Sequence, residues 1–162
     1  MHAPILVGHS DGGTISLLYA AQFPAQPLAV ITLAAHVFVE ETTLAGIRKA
    51  VQAFETGALR QKLYRYHGDN TDAMFEGFED DWLLPRYRDW NIESCLHSIR
   101  CPLLVMQGED DEYGTVAQVE AIAGGVSGRV ERVLIPACGH NPHLQAREQV
   151  LDEMKCFIEG LP

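Results

Sequence analysis

The sequence predicts an α/β fold of about four parallel strands with flanking helices, and three observations predict it. Continuous apolar runs of buried-strand type recur at residues 28–33, 102–107 and 130–135, after a shorter run at 4–7. Helical patterns separate them, at residues 14–21, 116–123 and 144–158. The chain of 162 residues, 47% of them apolar, suits a single globular domain with a sizeable core. Strands alternating with helices imply βαβ units and a parallel sheet covered on both faces.

The first run, Pro4-Ile5-Leu6-Val7, leads directly into Gly8-His9-Ser10-Asp11-Gly12, and an apolar-periodic stretch begins at Thr14. A strand, a sharp turn with glycine on both sides of a serine, and then a helix form the context of a nucleophile elbow. The glycines are expected to serve a strained turn in which the strand and helix backbones pass close to the serine. The helix is expected to end near Phe23-Pro24, before the strand at 28–33.

Residues 36–97 break the alternation. They hold no strand-like run, carry many charges, and show helical patterns at 44–54, 58–66 and 72–82. Thr42 or Thr43 and Asn70 or Thr71 are the candidate N-caps of the first and third. The predicted organisation is a core of residues 1–35 and 98–162, with 36–97 inserted as a helical lid. Met74, Phe75, Phe78, Trp82, Tyr87 and Trp90 are individually packing residues by expectation, but some should face an apolar substrate cavity. Trp82 and Trp90 are the candidate substrate-binding residues among them.

Charge and cysteine usage narrow the function. The formal net charge is −10 and no long basic block occurs, which argues against nucleic acid or an anionic membrane as the main partner. No run reaches the length of a membrane span and no secretory leader is apparent, so a cytoplasmic location is expected. Cys95, Cys101, Cys138 and Cys156 lack CxxC spacing and have core-like flanks, so buried thiols are expected and no metal site. Cys138 lies two residues before a histidine, but Ser10 fits a nucleophile better, and Cys138 is expected to be wall.

A serine nucleophile needs a base, and the base needs a carboxylate to hold its tautomer. After the run at 130–135 the chain reads Pro136-Ala137-Cys138-Gly139-His140-Asn141-Pro142-His143. His140, in a glycine-containing turn just past a strand, is the favoured base, with His143 a pocket-rim or capping residue. After the run at 102–107 come Gly108-Glu109-Asp110-Asp111-Glu112. A turn starting at Gly108 can direct only one or two of these acids inward, and the residues alone leave the choice open. The order is serine, acid, histidine, each past the end of a different strand.

With these motifs the chain resembles the C-terminal two-thirds of an α/β-hydrolase, a truncated form of that fold, over essentially its whole length. The resemblance implies a triad of Ser10, Asp111 and His140, with Asp110 as the neighbour of the acid. It implies a cofactor-independent serine hydrolase cleaving a small carboxylic ester through an acyl-enzyme intermediate. Asp11, His9 and His36 are further candidates for oxyanion or substrate binding, the first through its backbone N–H. Ser10-Asp11-Gly12-Gly13 also resembles the biphenyl-hydrolase-like and valacyclovir-hydrolase group. The Asp11 carboxylate would there attract a cationic acyl group, although an acid at a helix start is equally favoured by the dipole. Carbon–carbon bond hydrolases and cofactor-free peroxidases share the same triad. In the family pattern further strands precede the elbow strand and supply the second oxyanion donor. Without them the hydrolase is expected to be weak and the first strand to have an unpaired edge. That edge or its adjoining helices would form a homodimer whose partner could supply the missing donor. The alternative is a non-catalytic remnant serving as an assembly or binding module.

Overall fold

Successive side chains of a strand point to opposite faces, so each continuous apolar run feeds two layers. In the computed structural model, which describes residues 3–161 (79–81 by backbone only), four strands form one parallel sheet. They are β1 (Ile5–His9), β2 (Ala29–Leu33), β3 (Leu103–Gly108) and β4 (Val130–Ile135), in the spatial order β1-β2-β3-β4. The register aligns His9, Leu33, Met106 and Val133 across the sheet, bringing the carboxyl ends of all four strands to one edge.

Eight α-helices lie among the described residues. α1 (Asp11–Gln22) joins β1 to β2, and α2 (Glu41–Glu55), α3 (Ala58–His67), α4 (Thr71–Leu83) and α5 (Glu93–Leu96) stand between β2 and β3. α6 (Val116–Gly125) joins β3 to β4, and α7 (Pro142–Gln145) and α8 (Arg147–Glu159) follow. On one face of the sheet Val30, Leu103 and Val105 pack with Leu17 and Ala20 of α1, Leu96 of α5, and Val119 and Ile122 of α6. On the other, Ile31, Leu33, Leu104 and Met106 pack with Val150 and Phe157 of α8. Both central strands are therefore buried along their whole length. Each large aliphatic side chain taken fully from water here contributes about 1.5–3 kcal/mol.

The chain divides into two compact units, Met1–Phe38 with Asn91–Pro162, and Val39–Trp90. The second consists of α2, α3 and α4 with short 3-10 turns. Phe54 stacks on Phe75 with centroids 3.8 Å apart and planes within 3°, and Phe78 leans on the same ring. Arg60 grips Asp72 through two hydrogen bonds of 2.7 and 2.6 Å. No helix among the described residues is long and apolar enough to cross a membrane.

Two local expectations need correction. The N-cap of α2 is Glu40, not Thr42 or Thr43: Thr43 lies inside the first turn and its Oγ1 accepts the Glu40 N–H at 3.4 Å, in a reciprocal capping box. The long helix expected at 144–158 is two helices broken at Ala146, whose φ of −130° and ψ of 43° leave the helical region. Hydrophobic periodicity cannot register a one-residue break. Asn70 lies in the 3-10 turn that precedes α4, and Thr71 is the first residue of that helix, its hydroxyl donating to the Gly68 carbonyl at 2.6 Å.

Candidate active site

Ser10 sits where β1 must reverse into α1 within one residue. Its φ of 54° and ψ of −123° are sparsely populated for a side-chain-bearing residue and are held by tertiary contacts. Its N–H donates to the Leu33 carbonyl at 2.8 Å, and its own carbonyl accepts the N–H groups of Gly13 and Thr14 at 2.9 and 3.1 Å. Asp11 and Gly12 thus carry the first-turn N–H groups for which helix geometry provides no acceptor. A Cβ on Gly8 would lie 2.1 Å from the Gly12 carbonyl oxygen, so this position admits only glycine. Gly12 itself has nothing within 4 Å of such a Cβ, whereas one on Gly13 would meet Ala35 Cβ at 2.8 Å. The close approaches expected on both sides of the serine therefore fall at Gly8 and Gly13, not at Gly12.

The acid and histidine turns are built against each other. A Cβ on Gly108 would stand 2.0 Å from the Cys138 carbonyl oxygen, and the Asp110 N–H donates to that same oxygen at 2.9 Å. This contact leaves Asp110 exposed and turns Asp111 inward, where it is 8% exposed. Tyr113 N–H donates to Asp111 Oδ1 at 2.8 Å.

The three side chains meet. His140 Nδ1–H faces Asp111 Oδ1 at 2.9 Å and Oδ2 at 3.0 Å, and Ser10 Oγ lies 3.0 Å from His140 Nε2. With Nδ1 donating to the carboxylate, Nε2 is free to accept the serine proton. The rings of Tyr113, His9 and His36 surround the imidazole at centroid distances of 4.7, 5.0 and 5.9 Å.

The remaining candidates take distinct places. His9 donates from Nε2 to the His140 carbonyl at 2.7 Å, tying the elbow strand to the histidine turn. Burial pushes its pKa below the ordinary histidine value, against the opposing pull of that carbonyl. His36 is buried, donates from Nε2 to the Tyr113 carbonyl at 3.1 Å, and has its pKa lowered mainly by burial. Asp11 is exposed at the start of α1. His143 packs edge-on to His9 at 4.7 Å. Both line a hollow of about 360 Å³ together with Val7, Leu33 and Arg147. Cys138 is buried, with its thiol pKa raised by burial and then by the neighbouring acids. Trp82 and Trp90 meet edge-to-face at 6.0 Å within the Val39–Trp90 unit.

Four further polar residues brace the acid turn, the histidine turn and the segment after β2; of these only Glu112 stood in the sequence as a candidate, as one of the acids after Gly108. Glu112 Oε2 accepts the His140 N–H at 3.1 Å, and Gln145 Oε1 accepts the Gly139 N–H at 2.6 Å. Gln107 donates to the carbonyls of Gly114 and Thr115 at 2.7 and 3.1 Å. Gln118, fully buried, accepts from Val37 N–H at 2.8 Å and donates to the Phe38 carbonyl at 3.0 Å. A glutamine closing an otherwise apolar strand run was the available signal for Gln107.

A sequence model described as "Alpha/beta hydrolase family" matches residues 1–153. A search of curated proteins returned no significant match. Among solved structures, a serine hydrolase involved in carbazole degradation aligns at 20% identity with a TM-score of 0.73, over 96% of this chain and 63% of its own. A membrane phospholipase A described as a bacterial virulence factor aligns at 23% identity and TM-score 0.70, over 95% and 56%. An esterase from a Rhodococcus species aligns at 19% and 0.65, over 98% and 66%. The chain thus spans between 56% and 66% of the length of these three structures, and the likeness is one of fold.

Proposed function

Since the chain belongs to the α/β-hydrolase family, we propose that it is a serine hydrolase cleaving a small carboxylic ester through an acyl-enzyme intermediate. One observation carries this reading: Ser10 Oγ, His140 Nε2 and the Asp111 carboxylate stand in hydrogen-bonded series at 3.0 and 2.9 Å. Ser10 Oγ attacks the ester carbonyl carbon while its proton passes to His140 Nε2. The imidazolium so formed is stabilised by Asp111. The carbonyl oxygen, now negative, is met by the Asp11 N–H at the start of α1. As the carbon–oxygen bond to the alcohol breaks, His140 returns the proton to the leaving oxygen. Water, deprotonated by His140, then attacks the acyl carbon and releases the acid and Ser10.

The experiment is steady-state hydrolysis of p-nitrophenyl esters of increasing acyl length. Turnover above background that is absent in S10A supports the reading, whereas equal rates in the two proteins overturn it.

Membership in the biphenyl-hydrolase-like and valacyclovir-hydrolase group is a finer part of the same proposal. It is supported by Ser10-Asp11-Gly12-Gly13 and by the exposure of Asp11 beside the nucleophile. A cationic α-amino ester is then hydrolysed with higher kcat/KM than its uncharged analogue, and D11N removes the difference. Equal values for the two esters in the wild type overturn this assignment.

A further inference from the structure

The turn that carries His140 cannot hold itself. Pro136 at its start supplies no N–H, Ala137 has a φ of +52°, and the carbonyl of Cys138 is turned to the Asp110 N–H. The next two N–H groups, of Gly139 and His140, are bonded by side chains from elsewhere: Gln145 Oε1 at 2.6 Å and Glu112 Oε2 at 3.1 Å. The carbonyl of His140 is bonded by the His9 side chain at 2.7 Å. The backbone of the base is therefore clamped on both sides of its Cα by groups from the acid turn and the elbow strand.

We propose that Glu112 and Gln145 are positioning residues for the catalytic base, acting as paired acceptors that fix the Gly139–His140 backbone so that Nε2 faces Ser10. The proposal rests on the hydrolase reading for its effect on rate, but not for its effect on the His140 ring. Glu112 is exposed and lies outside both apolar layers, so its link to His140 is this hydrogen bond and not apolar packing. Gln145 ends α7 immediately before the break at Ala146, and its Oε1 also stands 3.4 Å from Cys138 Sγ. The break in the helix and the clamp on the turn are thus one local arrangement. Holding a reacting group in place matters because a displacement of about 1 Å can cost on the order of 100-fold in rate.

The test compares E112A, E112Q and Q145A with wild type, and uses E109A as a control for loss of one nearby exposed charge. Two readouts are taken: kcat and KM on a p-nitrophenyl ester, and the His140 ring and Nδ1–H signals by NMR. E112A and Q145A are expected to lose about tenfold in kcat with little change in KM, and to move the His140 signals. E112Q keeps an acceptor oxygen and should retain wild-type kcat and signals, as should E109A. Wild-type kcat and unmoved signals in E112A overturn the proposal. So does an equal loss in E112Q or E109A, which would assign the effect to charge. If wild type shows no turnover, signals that move in E112A but not in E112Q sustain the clamp while the hydrolase reading falls. Signals unmoved in both then remove the clamp.

Discussion

Asp111 holds the His140 imidazole with both carboxylate oxygens, at 2.9 and 3.0 Å, while Asp110 beside it points into solvent. The difference between these adjacent acids comes from the Asp110 backbone, which is bonded to the Cys138 carbonyl. D111N removes the group that fixes the histidine tautomer and is expected to lower kcat by about 10⁴. D110N changes only a solvated charge and should leave kcat within about twofold. Ester hydrolysis by both variants checks this, and similar losses in the two would contradict the assignment.

The elbow glycines separate in the same way. G8A forces a Cβ to 2.1 Å from a backbone oxygen, a clash that no rotamer relieves, so a large loss of stability or of soluble protein is expected. G12A adds a Cβ in open space within a helix and should stay within about 1 kcal/mol of wild type. Urea denaturation reads both.

Gln118 spans two backbone groups of the segment after β2, at Val37 and Phe38. Q118L keeps the bulk but strands a buried N–H and a carbonyl. The expected cost is about 1–3 kcal/mol for each group left unpaired. An unchanged urea midpoint would show that the segment finds other partners.

His36 is expected to make the fold less stable in acid. Burial keeps its folded-state pKa below the ordinary value of 6.5, so below pH 6.5 the unfolded chain binds this proton more readily than the folded one. Stability then rises with pH through that window. The contribution is complete above pH 6.5 and is lost as pH falls from there towards the lowered folded value. His9, shifted in the same direction, adds to the slope. Melting temperature should fall from pH 7 to pH 5 more steeply in wild type than in H36Q; parallel curves would remove His36 as a source.

Much of this arrangement could be read from the sequence because the candidate residues stand in turns that follow strands. Ser10, the acid run and His140 each lie within five residues of the end of an apolar run, and parallel register brings such ends to one edge of the sheet. The choice between Asp110 and Asp111 was closed to the residues themselves, since it depends on the backbone of one turn packing against that of another. The same holds for Gly12 and Gly13, where Ala35, far along the chain, decides which glycine is needed. Glu112 read only as one of four successive acids and Gln145 as an ordinary polar residue, because the backbone groups they bond are 28 and 6 residues away.

Ester hydrolysis by this site requires that Ser10 be a nucleophile activated by His140. Intact-mass measurement after treatment with a fluorophosphonate tests it most directly, because the probe reacts only with an activated hydroxyl and needs no knowledge of the substrate. Wild type is expected to gain one phosphonyl adduct, and S10A none under the same conditions. A folded wild-type protein that gains no adduct, or an adduct that persists in S10A, would contradict the claim.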